Sequence, residues 1–361
     1  MKVVVDRHIP YIEGLLEPYC EVLYLDAPSI ERSRLADAEA LLVRTRTRCD
    51  AQLLEGTPVE FIGSATIGAD HIDADYCQRR GIRVATAPGC NAAAVQQWTI
   101  AALLQWVEHK RLMLSDLTLG IVGVGHVGSR VEVAAKLLGM NVLRCDPPRQ
   151  RVEPDAHFVA LDEVLHRSDV LSLHVPLLRQ GSHSTHHLLN STNIHQCRPN
   201  VLIINSSRGE VAATDALLAF AQANPQSGLA LDVWEHEPHV SLELLKRCFI
   251  ATPHIAGYSI EGKRSGTCMV VGALSQHFGL GIPIGALLPT APPQVLPPVD
   301  SLCGAISTSY SIMSDDMRRA HAPFEELRNA YPYRHDFGGY AASPQSPCYD
   351  DLLRLGFSSA S

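Results

Sequence analysis

The chain has 361 residues, of which 46% are hydrophobic and 19% are charged, and its 30 Lys and Arg against 38 Asp and Glu give a formal net charge of −8. This length predicts two or three domains with a sizeable core, and the acidic balance excludes a broad cationic surface for nucleic acid or anionic lipid. The sequence has ten cysteines without a Cys-x-x-Cys pair and no uncharged apolar stretch of about 18 residues, which predicts reduced thiols in the cytoplasm, no metal site and no membrane span.

The first part of the chain alternates short apolar runs with helical patterns. Strands are predicted at 2–6, 21–25, 40–44, 61–64 and 83–86. Because these runs are continuously apolar and separated by helices, they indicate a parallel sheet covered on both faces. A long helix over residues 92–113 follows, with apolar residues at helical spacing.

A second and denser series of strands comes next, at 118–124, 141–145, 170–174, 201–205, 228–233 and 249–251. Its alternation with helices is typical of a doubly wound α/β domain. Another helix is predicted over 260–278. Five prolines between residues 289 and 298 indicate a linker, because proline fits neither a helix interior nor a central strand. We interpret the less regular segment 299–361 as a small appended domain.

The strongest motif follows the first strand of this second series. Residues 123–128 read Gly-Val-Gly-His-Val-Gly, with an apolar strand before them and an amphipathic helix after them. In that context, glycines at this spacing indicate a loop that binds the pyrophosphate of a dinucleotide at the helix N-terminus. The predicted cofactor contacts in this loop are Gly123, Gly125, His126, Val127 and Gly128.

An acidic residue, Asp146, follows the next strand. A carboxylate there accepts hydrogen bonds from the adenosine ribose and repels a 2′-phosphate, so NAD is favoured over NADP. Arg149 is close enough in sequence to leave NADP open. In the alternative interpretation, the glycines form only a tight turn and Asp146 caps the next loop.

Three further polar residues each follow a predicted strand: Arg208, Glu237 and His254. Because ligands of open α/β sheets bind beyond the carboxyl ends of the strands, we expect the three to converge. His254 suits a base that takes a hydroxyl proton near neutral pH, and Glu237 suits a carboxylate that orients the imidazole. Arg208 suits a guanidinium that binds a substrate carboxylate. Together they fit hydride transfer from a hydroxyl-bearing carbon.

With the glycine loop, this order of Arg, Glu and His resembles the D-2-hydroxy-acid dehydrogenases. The resemblance implies an NAD-dependent oxidoreductase in which Arg208, Glu237 and His254 are catalytic, with His254 the proton donor in the reduction direction. It also implies an α/β fold with a doubly wound NAD-binding domain at 96–257 and a discontinuous, flavodoxin-like α/β substrate domain at 1–95 and 258–284. The remaining residues, 285–361, would form a linker and a small α+β domain for homodimerisation.

The resemblance assigns further binding residues. The implied NAD contacts are Asp146, Val175, Ser206, Ser207, Asp232 and Gly257, and the implied substrate contacts are Thr45, Thr66 and Tyr258. Position 175 is Val where a hydroxyl-bearing residue is expected in close relatives. A backbone contact with the cofactor would survive that change, whereas a side-chain hydrogen bond would not.

Segments 87–92, 145–149 and 253–263 narrow the resemblance to members of the family that oxidise 4-phospho-D-erythronate on a route to pyridoxal 5′-phosphate. The residues support this independently, because an acidic protein needs a local cationic site for a phosphate. Arg44, Arg46 and Arg48 alternate near a predicted strand end and would project to one side of an extended chain. We place Arg44 at the phosphate. Which of the three arginines binds phosphate stays open, as does a solvated arginine face.

Two other functions are considered. A dehydrogenase with the same chemistry that acts on another acid, such as 3-phosphoglycerate, would keep all three catalytic residues. A non-catalytic NAD(H)-sensing protein would need the glycine loop and Asp146 but not Arg208, Glu237 or His254. The presence of all three favours an enzyme.

Overall fold

A computed structural model describes residues 1–154, 156–287, 292–320 and 322–360 of the chain. They form two compact units. The first unit comprises Met1–Asn91 and Ser259–Pro292, and the second comprises Ala92–Tyr258 and Pro293–Ser361. Each unit is therefore built from two separate stretches of sequence.

The strands of the described chain are β1 Lys2–Asp6, β2 Glu21–Leu25, β3 Ala40–Val43, β4 Phe61–Ser64, β5 Arg83–Ala85, β6 Thr118–Val122, β7 Asn141–Cys145, β8 Val170–Leu173, β9 Leu202–Asn205, β10 Gly228–Leu231, β11 Ile250–Ala251, β12 Gln294–Val295, β13 Tyr340–Ala342 and β14 Ser358–Ser359. The α-helices are α1 Ala51–Leu54, α2 Ala74–Arg80, α3 Ala92–Lys110, α4 His126–Leu137, α5 Pro147–Val152, α6 Leu161–Arg167, α7 Thr214–Ala223, α8 Leu242–Arg247, α9 Ile260–Phe278, α10 Ile284–Leu287, α11 Leu302–Ser309, α12 Phe324–Asn329 and α13 Tyr349–Leu355.

The first unit contains a five-stranded parallel sheet in the order β2-β1-β3-β4-β5. Because side chains alternate along a strand, β1 contributes to two cores. Val3 and Val5 lie in one core with Leu274 of α9, whereas Val4 lies in the other with Cys77 of α2. Both faces of the sheet are covered, which the continuous apolar runs predicted.

The second unit contains a six-stranded parallel sheet in the order β11-β10-β9-β8-β6-β7. Strand β6 lies between β7 and β8, so the sheet grows in opposite directions from it. A ligand binds at such a switch point, beyond the carboxyl ends of the strands. The expected α/β fold class, with parallel sheets and a doubly wound domain, is confirmed.

Residues 293–360 also belong to the second unit, although the sequence analysis placed a separate domain at 285–361. Strands β12, β13 and β14 form a small parallel sheet, and helix α11 packs on α3. Ile306, Phe337 and Leu352 share one hydrophobic core with Trp98 of α3. The segment joins this unit because its apolar side chains bury against α3 and α4.

Several elements end earlier than the sequence analysis predicted. Helix α3 ends at Lys110 rather than at residue 113. Five strands stop one or two residues early, so that the residues after them begin loops: these strands are β3, β5, β6, β8 and β10. In the proline-rich segment, residues 289–291 lie outside the described residues, and β12 forms an edge strand, where proline is tolerated.

Over the described ranges, no helix is both long and apolar enough to cross a membrane. In the same part of the chain, no group of three or more His, Cys, Asp or Glu side chains is arranged to hold a metal ion.

Candidate active site

The glycine loop of the second unit connects β6 to α4. Gly123 has a φ of +88°, and a Cβ there would lie 2.8 Å from the carbonyl carbon and oxygen of His174. A Cβ on Gly128 would lie 2.1 Å from the carbonyl oxygen of Gly123. These two positions therefore require glycine for close packing of strand, loop and helix.

Gly125 differs from its neighbours, because a Cβ there would have no atom within 4 Å. It is the N-cap of α4, and His126 and Val127 are the first two residues of that helix. The amides of this helical turn have no intrahelical acceptors and carry the positive end of the helix dipole. The open space in front of Gly125 therefore fits the pyrophosphate of a dinucleotide.

Asp146 lies at the carboxyl end of β7 and faces the glycine loop. Its carboxylate accepts hydrogen bonds from the backbone N–H of Val124 at 2.8 Å and of Arg149 at 3.0 Å, and so caps α5. The capping considered in the sequence analysis is thus present. Each carboxylate oxygen has a second lone pair, so capping leaves capacity for a ribose hydroxyl. Arg149 is bound to Glu153 at 2.7 Å and to the carbonyl oxygen of Val124.

The other residues assigned to the cofactor lie at the same sheet edge. Val175 follows β8, and its Cγ1 would lie 2.8 Å from a Cβ on Gly123. Ser206 and Ser207 follow β9: Ser207 Oγ donates to Asn205 at 2.8 Å, whereas Ser206 Oγ is buried and has no hydrogen-bond partner among the described residues. A buried hydroxyl of this kind fits a site that a ligand completes. Gly257 lies in the turn after His254.

Asp232 follows β10 and is almost fully buried. Its carboxylate accepts from the Thr252 hydroxyl at 2.6 Å and from the backbone N–H of Ile255 and Ala256 at 2.8 and 2.9 Å. Burial raises the pKa of Asp232, and the charge of His254 and these hydrogen bonds oppose the rise. In the structure, Asp232 holds the loop that carries His254.

Arg208, Glu237 and His254 line one cavity, together with Gly209, Glu210, Trp234 and His236. His254 Nδ1 lies 2.7 Å from Glu237 Oε2, and Glu237 Oε1 accepts from the backbone N–H of Trp234 at 2.9 Å. Burial alone would raise the pKa of Glu237, but the hydrogen bond and charge of His254, the Trp234 N–H and the charge of Arg328 together lower that pKa. An ionised Glu237 accepts a hydrogen bond from the Nδ1–H group of His254. The other ring nitrogen, His254 Nε2, is therefore the atom available for proton transfer.

Two neighbours of these residues shape the site, and the sequence analysis gave them no role. The buried Asn205 side chain donates to the carbonyl oxygen of Arg208 at 2.9 Å and accepts from Ser207, which orders the Arg208 loop. A Cβ on Gly209 would lie 2.0 Å from the carbonyl carbon of Trp234. Only glycine allows the loops of Arg208 and Glu237 to approach this closely. The position of Gly209 directly after Arg208 is the feature of the sequence from which this close approach could be predicted.

Tyr258 also belongs to the second unit. Its hydroxyl accepts from Arg328 Nε at 3.2 Å, and its ring packs edge-on against Tyr331 and Tyr333. The C-terminal segment, residues 293–360, thus contacts Tyr258, which the resemblance assigned to the substrate. Arg328 belongs to no sequence motif, so the sequence pattern alone does not predict its contact with Tyr258.

The remaining substrate candidates lie in the first unit. Arg44 binds the buried carboxylate of Asp6 through two hydrogen bonds, at 2.9 and 3.2 Å. Thr66 Oγ1 lies 2.7 Å from Ser64 Oγ, which in turn lies 3.0 Å from His71 Nε2. Thr45 is exposed.

The expected alternation of three arginines along an extended chain is wrong, because β3 ends at Val43 and residues 45 and 46 form a turn. Arg48 is 84% exposed and pairs with Asp50, while Arg44 pairs with Asp6. The arginines therefore do not share one side of a strand.

Comparison with known proteins shows the family to which the chain belongs. Residues 91–256 match the family described as D-isomer specific 2-hydroxyacid dehydrogenase, NAD binding domain. Erythronate-4-phosphate dehydrogenase of Bacteroides fragilis is 41% identical, over 94% of this chain and 98% of that protein. The chain belongs to the D-isomer specific 2-hydroxyacid dehydrogenases. The protein of the same name from Tolumonas auensis is 39% identical over 99% of both chains, so the narrower resemblance is confirmed as well.

A solved structure agrees with this D-2-hydroxyacid dehydrogenase assignment. D-Lactate dehydrogenase of Aquifex aeolicus, complexed with NAD and lactic acid, matches with a TM-score of 0.65 and 27% identity, over 80% of this chain and 100% of that one. The protein is an NAD-dependent oxidoreductase, and the expectation of NAD as cofactor is confirmed. A non-catalytic NAD(H)-sensing role is not favoured.

Proposed function

We propose that the protein oxidises the 2-hydroxyl of 4-phospho-D-erythronate to the 2-oxo acid, (R)-3-hydroxy-2-oxo-4-phosphooxybutanoate, in pyridoxal 5′-phosphate biosynthesis. Relatives named erythronate-4-phosphate dehydrogenase, 37–41% identical over 94–99% of this chain, carry the proposal. The cavity of Arg208, Glu237 and His254 supplies the groups that the reaction needs.

In the proposed mechanism, His254 Nε2 takes the proton of the 2-hydroxyl while C2 is oxidised. Glu237, bound to Nδ1, stabilises the imidazolium that forms and fixes the ring. Arg208 binds the substrate carboxylate and polarises the neighbouring oxygen. When NAD is bound, its nicotinamide ring would accept the hydride that leaves C2. The residues that would hold it are Gly123, Gly125, His126, Val127, Gly128, Asp146, Val175, Ser206, Ser207, Asp232 and Gly257.

On the substrate side we propose Arg44, Thr45, Thr66 and Tyr258, with Arg44 at the phosphate. A bidentate ion pair with Asp6 uses Nε and Nη2 of Arg44 and leaves Nη1 to donate to a phosphate oxygen. We also propose that the first unit, predicted at 1–95 and 258–284, is the substrate domain, and that the part of the second unit predicted at 96–257 is the NAD-binding domain. Within 285–361, we propose that the part from Pro293 onward serves as the dimerisation segment of a homodimer. The ten cysteines, all free thiols, support a place in the reducing cytoplasm.

Steady-state kinetics with NAD test the substrate assignment. We expect kcat/KM for 4-phospho-D-erythronate to exceed that for 3-phosphoglycerate and for unphosphorylated D-2-hydroxy acids, with 2-oxo acids included as acceptors in case NADH stays bound. A larger kcat/KM for 3-phosphoglycerate would refute the assignment. His254→Ala should abolish turnover while NAD still binds, and normal turnover in that variant would refute the mechanism.

A further inference from the structure

Arg334, in the C-terminal segment, contacts the backbone that follows His254. Nη1 donates to the carbonyl oxygens of Ile255 and Tyr258 at 3.1 Å each, and Nη2 donates to that of Ala256 at 2.6 Å. All of these carbonyl groups lie in the turn directly after His254. The Arg334 guanidinium therefore binds three backbone carbonyl oxygens of the turn that directly follows His254, a proposed catalytic residue.

The Arg334 guanidinium is itself held from the other side. Nη2 also donates to the carbonyl oxygen of Ala94 at 2.9 Å, and Nε donates to Gln97 Oε1 at 3.0 Å. Both residues belong to α3. The guanidinium carbon lies 4.4 Å from the centre of the Tyr310 ring. Arg334 thus connects the His254 turn to a long helix within the same unit.

Asp232 complements Arg334 across this turn. Its carboxylate accepts from the N–H groups of Ile255 and Ala256, while Arg334 donates to the carbonyl groups of the same two residues. The turn needs such restraint, because His254 has a φ of +59°, in the left-handed region that L residues seldom adopt. Removal of one partner would let this backbone relax and would displace the His254 ring.

We propose that Arg334 is a positioning residue that fixes the 254–258 turn so that the His254 imidazole meets both Glu237 and the substrate hydroxyl. The inference rests on the proposed role of His254. A planar guanidinium suits this task because its donors form a rigid fork that reaches several carbonyl oxygens at once. A lysine ammonium is a single compact charge and cannot hold the same set.

The test uses Arg334→Lys and Arg334→Ala in the full chain. We expect both variants to lose about 100-fold in kcat, the scale expected when a reacting group is displaced by 1 Å, and to lose much less in NAD affinity, because Gly257 alone among the proposed NAD contacts lies in this turn. The pH profile of kcat should shift, because the contact between His254 and Glu237 is altered. Hydrogen exchange measured by mass spectrometry should become faster in the peptide that contains residues 254–258.

Arg318→Ala is the matched control. Arg318 also reaches from the C-terminal segment to backbone carbonyl groups, those of Cys248 and Phe249, but these precede β11 rather than follow it. The control should lower the unfolding temperature without changing the pH profile or the exchange of residues 254–258. If Arg334→Lys keeps the wild-type kcat, pH profile and exchange, the proposal is overturned. Equal effects of Arg318→Ala on the pH profile and on this exchange would also overturn it.

The result does not depend on whether Arg334→Ala folds or on whether the substrate assignment is correct. Arg334→Lys decides the matter if Arg334→Ala does not fold. Turnover is measured with whichever 2-hydroxy acid the wild-type protein oxidises best, so an error in the substrate assignment leaves the test intact. If His254→Ala retains turnover, the proposed mechanism fails, and the exchange experiment still reports whether Arg334 holds the turn.

Discussion

Glu237 Oε2 lies 2.7 Å from His254 Nδ1, and Glu237 Oε1 is held by the backbone N–H of Trp234. Both oxygens of this carboxylate are therefore assigned, and the side chain is only 19% exposed. The arrangement fixes the rotation of the imidazole and directs Nε2 away from Glu237. Glu237 therefore both orients the imidazole of His254 and stabilises its positive charge.

Glu237→Gln should lower kcat by about 100-fold or more, within the range of a lost acid–base contribution, because a neutral amide does not stabilise the imidazolium. Stopped-flow measurement of NADH formation checks this. Glu235→Gln is a matched control, since Glu235 also binds an imidazole, that of His187, at 2.6 Å, but does not line the cavity. A similar loss in the control would show that the effect is not specific to His254.

Gly209→Ala should damage stability and activity together. The added methyl would lie 2.0 Å from the carbonyl carbon of Trp234, so the loops of Arg208 and Glu237 must separate. We expect about 1–3 kcal/mol less free energy of unfolding, measured in urea, and a lower kcat. Gly304→Ala on α11, where the nearest atom would be the Ser301 Oγ at 3.4 Å, should change neither by much. A fully active, stable Gly209→Ala would contradict the close approach.

The glycine loop predicts opposite phenotypes for two of its members. Gly125→Ala should lower the free energy of unfolding by no more than about 1 kcal/mol, because alanine is a poorer N-cap but its Cβ meets no atom within 4 Å, and should weaken NAD binding about tenfold or more by occupying the space of the pyrophosphate. Gly128→Ala should instead destabilise the fold, with a contact of 2.1 Å to the Gly123 carbonyl oxygen. Urea unfolding and NAD titration separate the two. Unchanged NAD affinity in Gly125→Ala would place the pyrophosphate elsewhere.

Stability should depend on pH through His174. Burial lowers the pKa of His174 to about 4, so between pH 6.5 and 4 the unfolded chain binds a proton that the folded chain does not. The folded state therefore loses stability as pH falls through this window, on the order of 3 kcal/mol. His174→Asn should show a smaller loss between pH 7.5 and 5 in urea unfolding. The exposed His166→Asn serves as control, and equal slopes in all three proteins would contradict the assignment.

The sequence predicted the parts of this site that carry local patterns. The glycine loop lies between β6 and α4 because its spacing and flanking periodicity are encoded within a few residues. Arg334 and Arg328 escaped prediction because they lie in a segment without regular periodicity, far in sequence from the turn and the tyrosine that they contact. Their roles arise from packing of that segment on α3 and α4, which no local pattern reports.

The roles of Asp232 and of the arginines after β3 depend on backbone geometry that the sequence does not encode locally. Asp232 was assigned to NAD by resemblance alone, and only the structure shows that its carboxylate holds the backbone of Ile255 and Ala256. The arginines after β3 were placed on one side because an extended backbone was assumed. Strand ends are set by where the sheet loses a hydrogen-bonded neighbour, and this depends on the partner strands rather than on the arginines themselves.

Arg44 requires a compensated test, because Asp6 is fully buried whereas Arg44 is 30% exposed. Arg44→Ala alone leaves a buried carboxylate unpaired and should lower the free energy of unfolding by about 2–3 kcal/mol. The double variant Asp6→Asn with Arg44→Ala removes that charge and should regain part of the loss. In this folded background, kcat/KM for 4-phospho-D-erythronate should fall at least about tenfold, or about 1.4 kcal/mol, while an unphosphorylated D-2-hydroxy acid is unaffected.

Arg48→Ala is the control for this experiment, since its exposed pair with Asp50 should contribute at most about 1 kcal/mol. It should leave both substrates unchanged. A selective loss with Arg46→Ala but not with the double variant would move the phosphate contact from Arg44 to Arg46. Equal losses on phosphorylated and unphosphorylated acids would instead show that Arg44 supports the fold of the first unit through Asp6, because a phosphate ligand discriminates between substrates that differ only in that group.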